Sequence, residues 1–532
     1  MKMKKSNFPA LALTLLIVTG IIGGGIWHFR KTSANSISGQ PNSSQSGTGK
    51  TNPKISTQLT LLGDTFSGYS TFRNSDFQAA LAEVGIGLRY VDEFDQAKRA
   101  ASLSQGKADL FVTTLDQFLQ QQPQGKIVGM IDRTIGADAV VLNTQKYPNL
   151  KSMQDLGQLI QQVRDQGQTL SIAFAGDTPS EYLALILDIR FEGFALADFE
   201  QIRVADASDA WKLMNDPDQN VAIAVLWEPY VTQARQQGDT IVLSSNDAQD
   251  SIIDVIVASD QLLQSKPKEI SQFLEVYYRR IDTNVQDASQ LKAQIAEDGG
   301  LSPEDAEAVL QGIDFFTAAE AQSWMVDNTL TRRIEAISSV LVRSNRLNTI
   351  PQNPEKLFNN QFLTTAALNT QILIDQVRVD NPDLAQRLAG SGGQTVAAIP
   401  QITAREVQAA PDIGNLEVQG NVEFAIGSAQ LTAIGQQTLE GLVKEIQEFN
   451  PQTVAVRVIG HTSRTGTAAL NQTISQQRAQ VVVDYLLGKG VKHNIIAEGK
   501  GFSEPLPDIS PTDVRNQRTQ IRLVRVDSVS QS

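Results

Sequence analysis

One uncharged apolar run, residues 8–29, stands apart from everything that follows it. An α-helix needs about 20 apolar residues to cross the core of a bilayer, so this run predicts a transmembrane segment within residues 1–31. Lys2, Lys4 and Lys5 precede it and favour a cytoplasmic N-terminus, while Trp27 and Phe29 close it as interfacial aromatics. A cleaved secretory signal shares the basic start, but its apolar core is shorter and ends in a small-x-small cleavage site. Here the run has no such site and continues into Arg30-Lys31, which reads as an uncleaved signal anchor; the alternative is a cleaved, soluble periplasmic form. Residues 32–56 are rich in Ser, Gly, Asn, Gln and Thr without apolar periodicity, the pattern of a flexible linker.

From residue 57 the pattern changes to short apolar runs that alternate with helical periodicity. Leu59, Leu61 and Leu62 predict a strand, a polar loop over 63–74 follows, and a helix is expected near Phe77 and Val84. Further strands are expected at 108–112, 139–142, 170–174, 221–226 and 252–257. Ile270, Phe273, Leu274 and Tyr277 fall at helical spacing within a helical stretch, 262–345. Strands alternating with helices predict an α/β domain with a mostly parallel sheet over 57–345.

Helical periodicity returns between Leu363 and Val377, then gives way to Gly390-Ser391-Gly392-Gly393 and an Ala/Pro/Gln-rich segment. Residues 346–415 therefore read as a helical spacer and linker. The last alternating unit, 416–527, predicts strands at 422–425 and 454–459, helices at 431–449 and 469–487, and strands near Ile495 and Ile521. Residues 528–532 are a tail.

Composition removes several function classes. The chain of 532 residues is too long for one core, so two or three folded units are expected. A net charge of −13, without a basic cluster beyond the first residues, argues against a nucleic-acid partner. The absence of cysteine excludes thiolate metal sites, a cysteine nucleophile and a lipidated N-terminal cysteine. His28, His461 and His493 are too scattered to predict a histidine-rich metal site, and no cofactor is expected.

Several ordered strings resemble the nitrate/sulfonate/taurine-type solute-binding proteins of ABC transporters. They are Ile131-Asp132-Arg133-Thr134-Ile135-Gly136-Ala137-Asp138, Gly176-Asp177-Thr178-Pro179-Ser180-Glu181-Tyr182-Leu183 and Leu226-Trp227-Glu228-Pro229-Tyr230. The resemblance spans about 57–345 and implies a two-lobed periplasmic-binding-protein-like fold that closes on a small solute by hinge motion. Thr178-Pro179-Ser180-Glu181 has an N-cap, a proline at the first helical position and an acidic first turn, which by itself is only a well-capped helix. In the family context its free amides imply an anion site and a small anionic solute. The loop carrying Asp64, Thr65, Ser67, Tyr69 and Ser70 follows the first strand at its carboxyl end, where open α/β sheets place ligands. By resemblance Thr113 and Thr114 face the same cleft. Trp227 and Glu228 fit either a cleft wall or a packed corner, and Asp132 with Arg133 suggests a structural pair at the hinge crossover.

The C-terminal unit resembles the OmpA peptidoglycan-binding family. The strings are Ile459-Gly460-His461-Thr462-Ser463-Arg464-Thr465-Gly466, Asn471-Gln472, Ile474-Ser475-Gln476-Gln477-Arg478-Ala479, Gly499-Lys500-Gly501 and Arg515-Asn516-Gln517-Arg518. Recognition of a zwitterionic diamino acid needs an arginine for its carboxylate and an aspartate for its amine. Arg478 stands at the arginine position, but Ser463 replaces the aspartate, and losing a charge-assisted bond of roughly 1.5–3 kcal/mol weakens binding about ten- to a hundredfold. Asn471 and Arg518 are further candidates by the same match, His461 and Asn516 structural ones.

The fold class expected is thus a two-lobed α/β domain, an α+β OmpA-like domain and an N-terminal transmembrane helix. The function expected is not enzymatic: a binding protein of the cell envelope, held in the inner membrane through residues 8–29, partnered by a small solute, an ABC permease and peptidoglycan. A scaffold or sensor linking membrane and wall, with a degenerate solute site, is the alternative.

Overall fold

The computed structural model describes residues 54–390 and 399–526, except Gln249, Gln419 and Ile426. The expected span at 8–29, most of the linker and the tail lie outside the described residues. Among the described residues no helix is long and apolar enough to cross a membrane.

The strands of the middle region, in chain order, are β1 (Thr57–Gly63), β2 (Ile86–Asp92), β3 (Leu110–Thr114), β4 (Gly125–Thr134), β5 (Asp138–Leu142), β6 (Ser171–Ala175), β7 (Glu200–Val204), β8 (Val221–Trp227), β9 (Thr240–Ser244), β10 (Ile253–Ser259) and β11 (Ile313–Phe315). They form two sheets and hence two lobes. Lobe 1 has the order β11-β4-β10-β3-β1-β2, and lobe 2 the order β7-β6-β8-β5-β9. The chain passes from lobe 1 to lobe 2 between β4 and β5 and returns between β9 and β10.

That double crossing explains why the sheets are mixed rather than mostly parallel. β1 runs parallel to β2 and β3, but the returning β10 enters lobe 1 from the opposite end and pairs antiparallel with both β3 and β4. In lobe 2, β6 runs parallel to β7 and β8, whereas β5 is antiparallel to β8 and β9. β3, β5, β6 and β10 are buried along their whole length, as continuous apolar runs covered on both faces require.

The stretch read as a spacer is built into lobe 1. Asn359 N donates to Ile127 O at 2.8 Å, and Leu363 and Ala366 on the Thr364–Val377 segment join the main core. Thr370 Oγ1 donates to Asp282 Oδ2 at 2.8 Å, and Thr317 Oγ1 to the carbonyl of Leu388 at 2.8 Å.

The C-terminal sheet comprises β12 (Asp412–Asn415), β13 (Val454–Gly460), β14 (Ile495–Gly499) and β15 (Thr519–Arg525), in the order β12-β15-β13-β14. β12 comes from the segment read as linker. The strand expected at 422–425 is instead a loop held by one bridge between Phe424 and Leu431. Helices Ala433–Gln447 and Ala468–Gly488 match the expected pair. The second lies so close to the sheet that a Cβ at Gly460 would meet the backbone of Ser475, and one at Gly499 that of Gln476. Both positions therefore need glycine.

This unit is packed onto lobe 2. Phe191 bridges to Leu416, Glu192 N donates to Asn415 O at 2.9 Å and Glu417 N to Arg190 O at 2.8 Å. Phe191 meets Phe449 edge-on, with ring centroids 5.9 Å apart. Around this contact Glu448 holds Arg333 at 2.7 Å and Arg190 at 3.4 Å, and Glu445 holds Arg190 at 3.1 Å. On the other side Arg525 pairs with the buried Asp247, and Asn450 N donates to Asp247 O at 2.9 Å.

Candidate functional site

Open α/β sheets offer ligands the crevice outside the carboxyl ends of their parallel strands. Lobe 1 brings to that end the loop after β1, the end of β3, the last residues of β4 and the first of β10. Lobe 2 brings the start of β5 and the turns after β6 and β8.

In the loop after β1, Asp64 and Tyr69 are committed to the protein itself. Asp64 Oδ1 accepts from Phe66 N at 2.9 Å, and Oδ2 pairs with the fully buried Arg99 at 2.5 Å. The Tyr69 hydroxyl donates to Asp254, and burial, the leading cause, with the neighbouring Asp254 and Asp64 pushes its pKa well up. Thr65 is exposed and Ser67 half-buried. Ser70 is fully buried, and its hydroxyl, like that of neighbouring Thr71, has no hydrogen-bond partner. Thr113 hydrogen-bonds Gln96 at 2.9 Å, and Thr114 stands opposite Asp254 across the sheet.

On lobe 2, Thr178 caps the helix Pro179–Arg190 and accepts from Ser180 N at 3.2 Å. Glu181 Oε2 accepts from Asp177 N at 2.8 Å, while Oε1 takes both Arg203 and Arg346. The first turn thus carries its own carboxylate, which folds back on the amide just before the cap and lends the helix start a negative charge. Ser180 is fully buried and its hydroxyl is unpartnered. Glu228 behaves as a packed corner: its oxygens accept from Thr232 N at 3.1 Å and Thr232 Oγ1 at 2.9 Å, capping the next helix. Trp227 ends β8 half-buried, opposite Asp138.

Asp132 and Arg133 do not pair with each other, contrary to the expectation from sequence. Alternation along β4 sends them to opposite faces. Arg133 reaches Asp314 at 2.5 Å, Glu320 at 2.8 Å and Asp250 at 3.8 Å, and lies over the ring of Phe316 at 4.8 Å. Asp132 is fully buried against the backbone of Gly68, and among the described residues neither of its carboxylate oxygens has a hydrogen-bond partner. Burial, then the charges of Asp254, Asp314 and Asp138, pushes its pKa well up; burial does the same to Asp254. Asp138 is raised to about 7 by burial, with Glu228 adding to it, and Asp116 to about 6 by burial. Sequence reasoning passed over Asp132 and Asp254 as site groups. For Asp254 the signal was a lone carboxylate inside an otherwise apolar run, Ile252–Val257; Asp132, beside Arg133, carried no such signal.

In the C-terminal unit, Ser463 is buried and accepts from Gln517 Nε2 at 3.0 Å. Asn471 is spent on the adjoining loop, donating to Thr465 O at 2.8 Å and Thr467 O at 2.9 Å. Arg478 lies two turns further along the same helix. Its Nε donates to Ser428 O at 2.9 Å, its guanidinium covers the ring of Phe424 at 5.1 Å, and burial lowers its pKa. Among the described residues no carboxylate is paired with it. Arg518 gives one bond to Glu504 O at 3.2 Å and leaves Nε and Nη1 unpartnered; burial lowers its pKa, while Glu504 and Glu192 oppose that. His461 bonds Gln520 at 2.8 Å, and Asn516 fixes its loop through Leu506 N at 2.7 Å and Ser510 O at 2.9 Å.

Comparison with known proteins agrees with both resemblances. Residues 423–519 match the OmpA family and residues 81–290 the NMT1/THI5-like family, so the chain joins an NMT1/THI5-like domain to an OmpA domain. Outer membrane protein A of Shimwellia blattae is 34% identical over 151 residues, 28% of this chain and 63% of that protein. Outer membrane protein A of Atlantibacter hermannii is 36% identical over 135 residues, 24% and 54% of the two chains. The chain thus spans just over half the length of these curated relatives. Among solved structures, the alkanesulfonate-binding protein of Xanthomonas axonopodis pv. citri bound to MOPS is similar with a TM-score of 0.41 and 14% identity, over 56% of this chain and 94% of that one. The periplasmic aliphatic sulphonate binding protein of Escherichia coli gives 0.44 and 14%, over 57% and 92%.

Proposed function

We propose that this chain is a binding protein of the cell envelope that captures a small polar solute between its two lobes and associates with peptidoglycan through its C-terminal unit. The observation that carries this reading is the seam itself. Ser70, Thr71, Asp132 and Ser180 are brought to the interlobe ends of both sheets, buried, with side-chain oxygens that have no partner among the described residues. Buried polar groups without partners cost stability, and a ligand that supplies the partners recovers it. In the same reading residues 8–29 form a single-pass inner-membrane anchor with the folded units in the periplasm, and the captured solute is handed to an ABC permease.

The small anion implied by the helix start at Thr178 finds the Ser180 amide taken by Thr178 Oγ1 and the Asp177 amide before it by Glu181. The reading is therefore of solute capture at the seam. A second reading, a sensor or scaffold linking inner membrane and wall, draws on the ion-paired packing of the C-terminal unit against lobe 2.

Solute capture is tested by a thermal-shift screen of the full chain against small anions, amines and thiamine precursors, since a ligand that binds only the native state raises its melting temperature. A shift that disappears in a Thr178→Ala, Ser180→Ala variant supports capture at the seam. No shift with any solute, on folded protein, favours the scaffold.

A further inference from the structure

We infer that the solute held at this seam carries a protonated amine, with Asp132 as its counter-charge and the Ser70 and Ser180 hydroxyls completing its hydrogen bonds; this deepens, and rests on, the solute-capture reading. Two independent features lead there.

The first is what is already spent. An anion needs a cation or a free helix start, and each such group around the seam is engaged. Arg99 is held by Asp64 and by the carbonyls of Glu93 and Val112, at 2.5, 2.5 and 2.8 Å. Arg133 sits among Asp250, Asp314 and Glu320. Arg203 is held by Asp177 and Glu181, and Glu181 also holds Arg346 and takes the amide of Asp177 just before the helix Pro179–Arg190, whose Ser180 amide is taken by Thr178 Oγ1. An incoming sulfonate or nitrate would have to displace a carboxylate from every one of them.

The second is what is left over. Both oxygens of Asp132 are buried and unpartnered, and the hydroxyls of Ser70, Thr71 and Ser180, on both lobes, are in the same condition. The raised pKa of Asp132 favours its protonated form before a ligand arrives, but protonation does not close the deficit, because its O–H would lack an acceptor and its second oxygen a donor; an arriving ammonium restores the carboxylate. A carboxylate with two open acceptors is satisfied by a group with several N–H donors and a positive charge, which describes an ammonium. Hydroxyls can donate or accept and so suit the polar remainder of such a solute. Close approach of the Gly68 backbone to Asp132, where any Cβ would collide with Oδ2, holds the carboxylate in place.

The test uses the full chain and two probe sets at equal ionic strength: methylammonium, ethanolamine and putrescine against methanesulfonate, nitrate and bicarbonate. Thermal shift identifies binders and calorimetric titration measures them, on the native chain and on Asp132→Asn, which keeps the shape and removes the charge. The expected result is a shift with at least one amine whose affinity falls about tenfold or more in Asp132→Asn, the loss of a charge-assisted bond. Should Asp132→Asn fail to fold, Ser180→Ala decides in its place, with a smaller loss expected. A shift with anions alone overturns the amine while leaving solute capture standing, and a shift with neither set overturns both. An amine shift unchanged in the variants marks binding elsewhere on an acidic protein and also overturns the inference.

Discussion

Glu448→Ala probes the contact that ties the C-terminal unit to lobe 2. Glu448 grips Arg333 with both oxygens, at 2.7 and 3.1 Å, and reaches Arg190 at 3.4 Å. The side chains of Arg190, Arg333 and Glu448 are 8%, 17% and 20% exposed, so this is a largely desolvated cluster rather than a surface pair. Breaking a buried pair costs about 3–5 kcal/mol because the partner charge is stranded. Arg190 keeps Glu445 at 3.1 Å and residual solvent reaches the cluster, so the lower end, about 3 kcal/mol, is expected. That is a factor of more than a hundred in the equilibrium between docked and undocked units. Of the four tryptophans, Trp211, Trp227 and Trp324 lie in the two lobes and none lies in the C-terminal unit, so tryptophan fluorescence follows the lobes while far-ultraviolet circular dichroism follows the whole. In urea the native chain should show coincident transitions by both probes, and Glu448→Ala should separate them and lower the stability of at least one. Glu440→Ala, which removes only the exposed pair with Lys489, serves as the control with no measurable effect. A Glu448→Ala chain whose two transitions still coincide at the native midpoint would refute the coupling.

The two halves should respond oppositely to pH. Asp138, raised to about 7 from an ordinary 3.8 by burial, and Asp254, raised likewise, bind protons in the native state that the unfolded chain has released, so the lobes should lose stability as pH rises from about 4 towards 7 and above; Asp254→Asn should flatten that slope in urea titrations. His461 and His493 are held down to about 4 from 6.5 by burial, so the C-terminal unit keeps their full contribution above pH 6.5 and loses it as pH falls through 4, and proton NMR should find neither ring titrating near pH 6.5. In peptidoglycan co-sedimentation, Arg478→Ala should abolish binding, and Ser463→Asp, which restores a charge for an ammonium, should strengthen it about ten- to a hundredfold; no gain would show that the amine is not read at this position. Gly460→Ala should destabilise the C-terminal unit in thermal unfolding, because its Cβ would force the helix Ala468–Gly488 off the sheet; an unchanged melting temperature would mean the helix can retreat freely.

Strands that are continuous apolar runs, such as Ala139-Val140-Val141-Leu142 and Val221-Ala222-Ile223-Ala224-Val225-Leu226, were legible because burial on both faces leaves no polar position to blur them. β2 and β7 were not, since they lie at sheet edges and carry exposed polar residues, Arg89 and Asp92 in one and Glu200, Gln201 and Arg203 in the other, that break any apolar run. Nor was β12, four residues whose only reason to be a strand is the ladder with β15, a non-local partner more than a hundred residues away. The site followed the same rule. The cap at Thr178 was visible because capping is local, whereas the partners of Glu181, at Arg203 and Arg346, are set by tertiary structure.

The helix Pro179–Arg190 gives those non-local partners a functional consequence. Its first turn carries Thr178 and Ser180 at the interlobe seam, and its last residue, Arg190, is clasped by Glu445 and Glu448 of the C-terminal unit. Arg343, on the helix Thr329–Arg343 that also carries Arg333, donates to the carbonyl of Ile189 at 2.7 Å and so braces the same end. A helix of twelve residues is thus fixed at one end by the C-terminal unit and presents its other end to the interlobe seam. Any hinge motion that moves the start of this helix must either carry the C-terminal unit with lobe 2 or break the Glu448 cluster. Carrying it opens the Arg333 arm instead, because the helix of Arg333 also packs against the helix Leu115–Gln121 of lobe 1, so the Glu448 cluster braces both lobes and hinge motion costs several kcal/mol in either case.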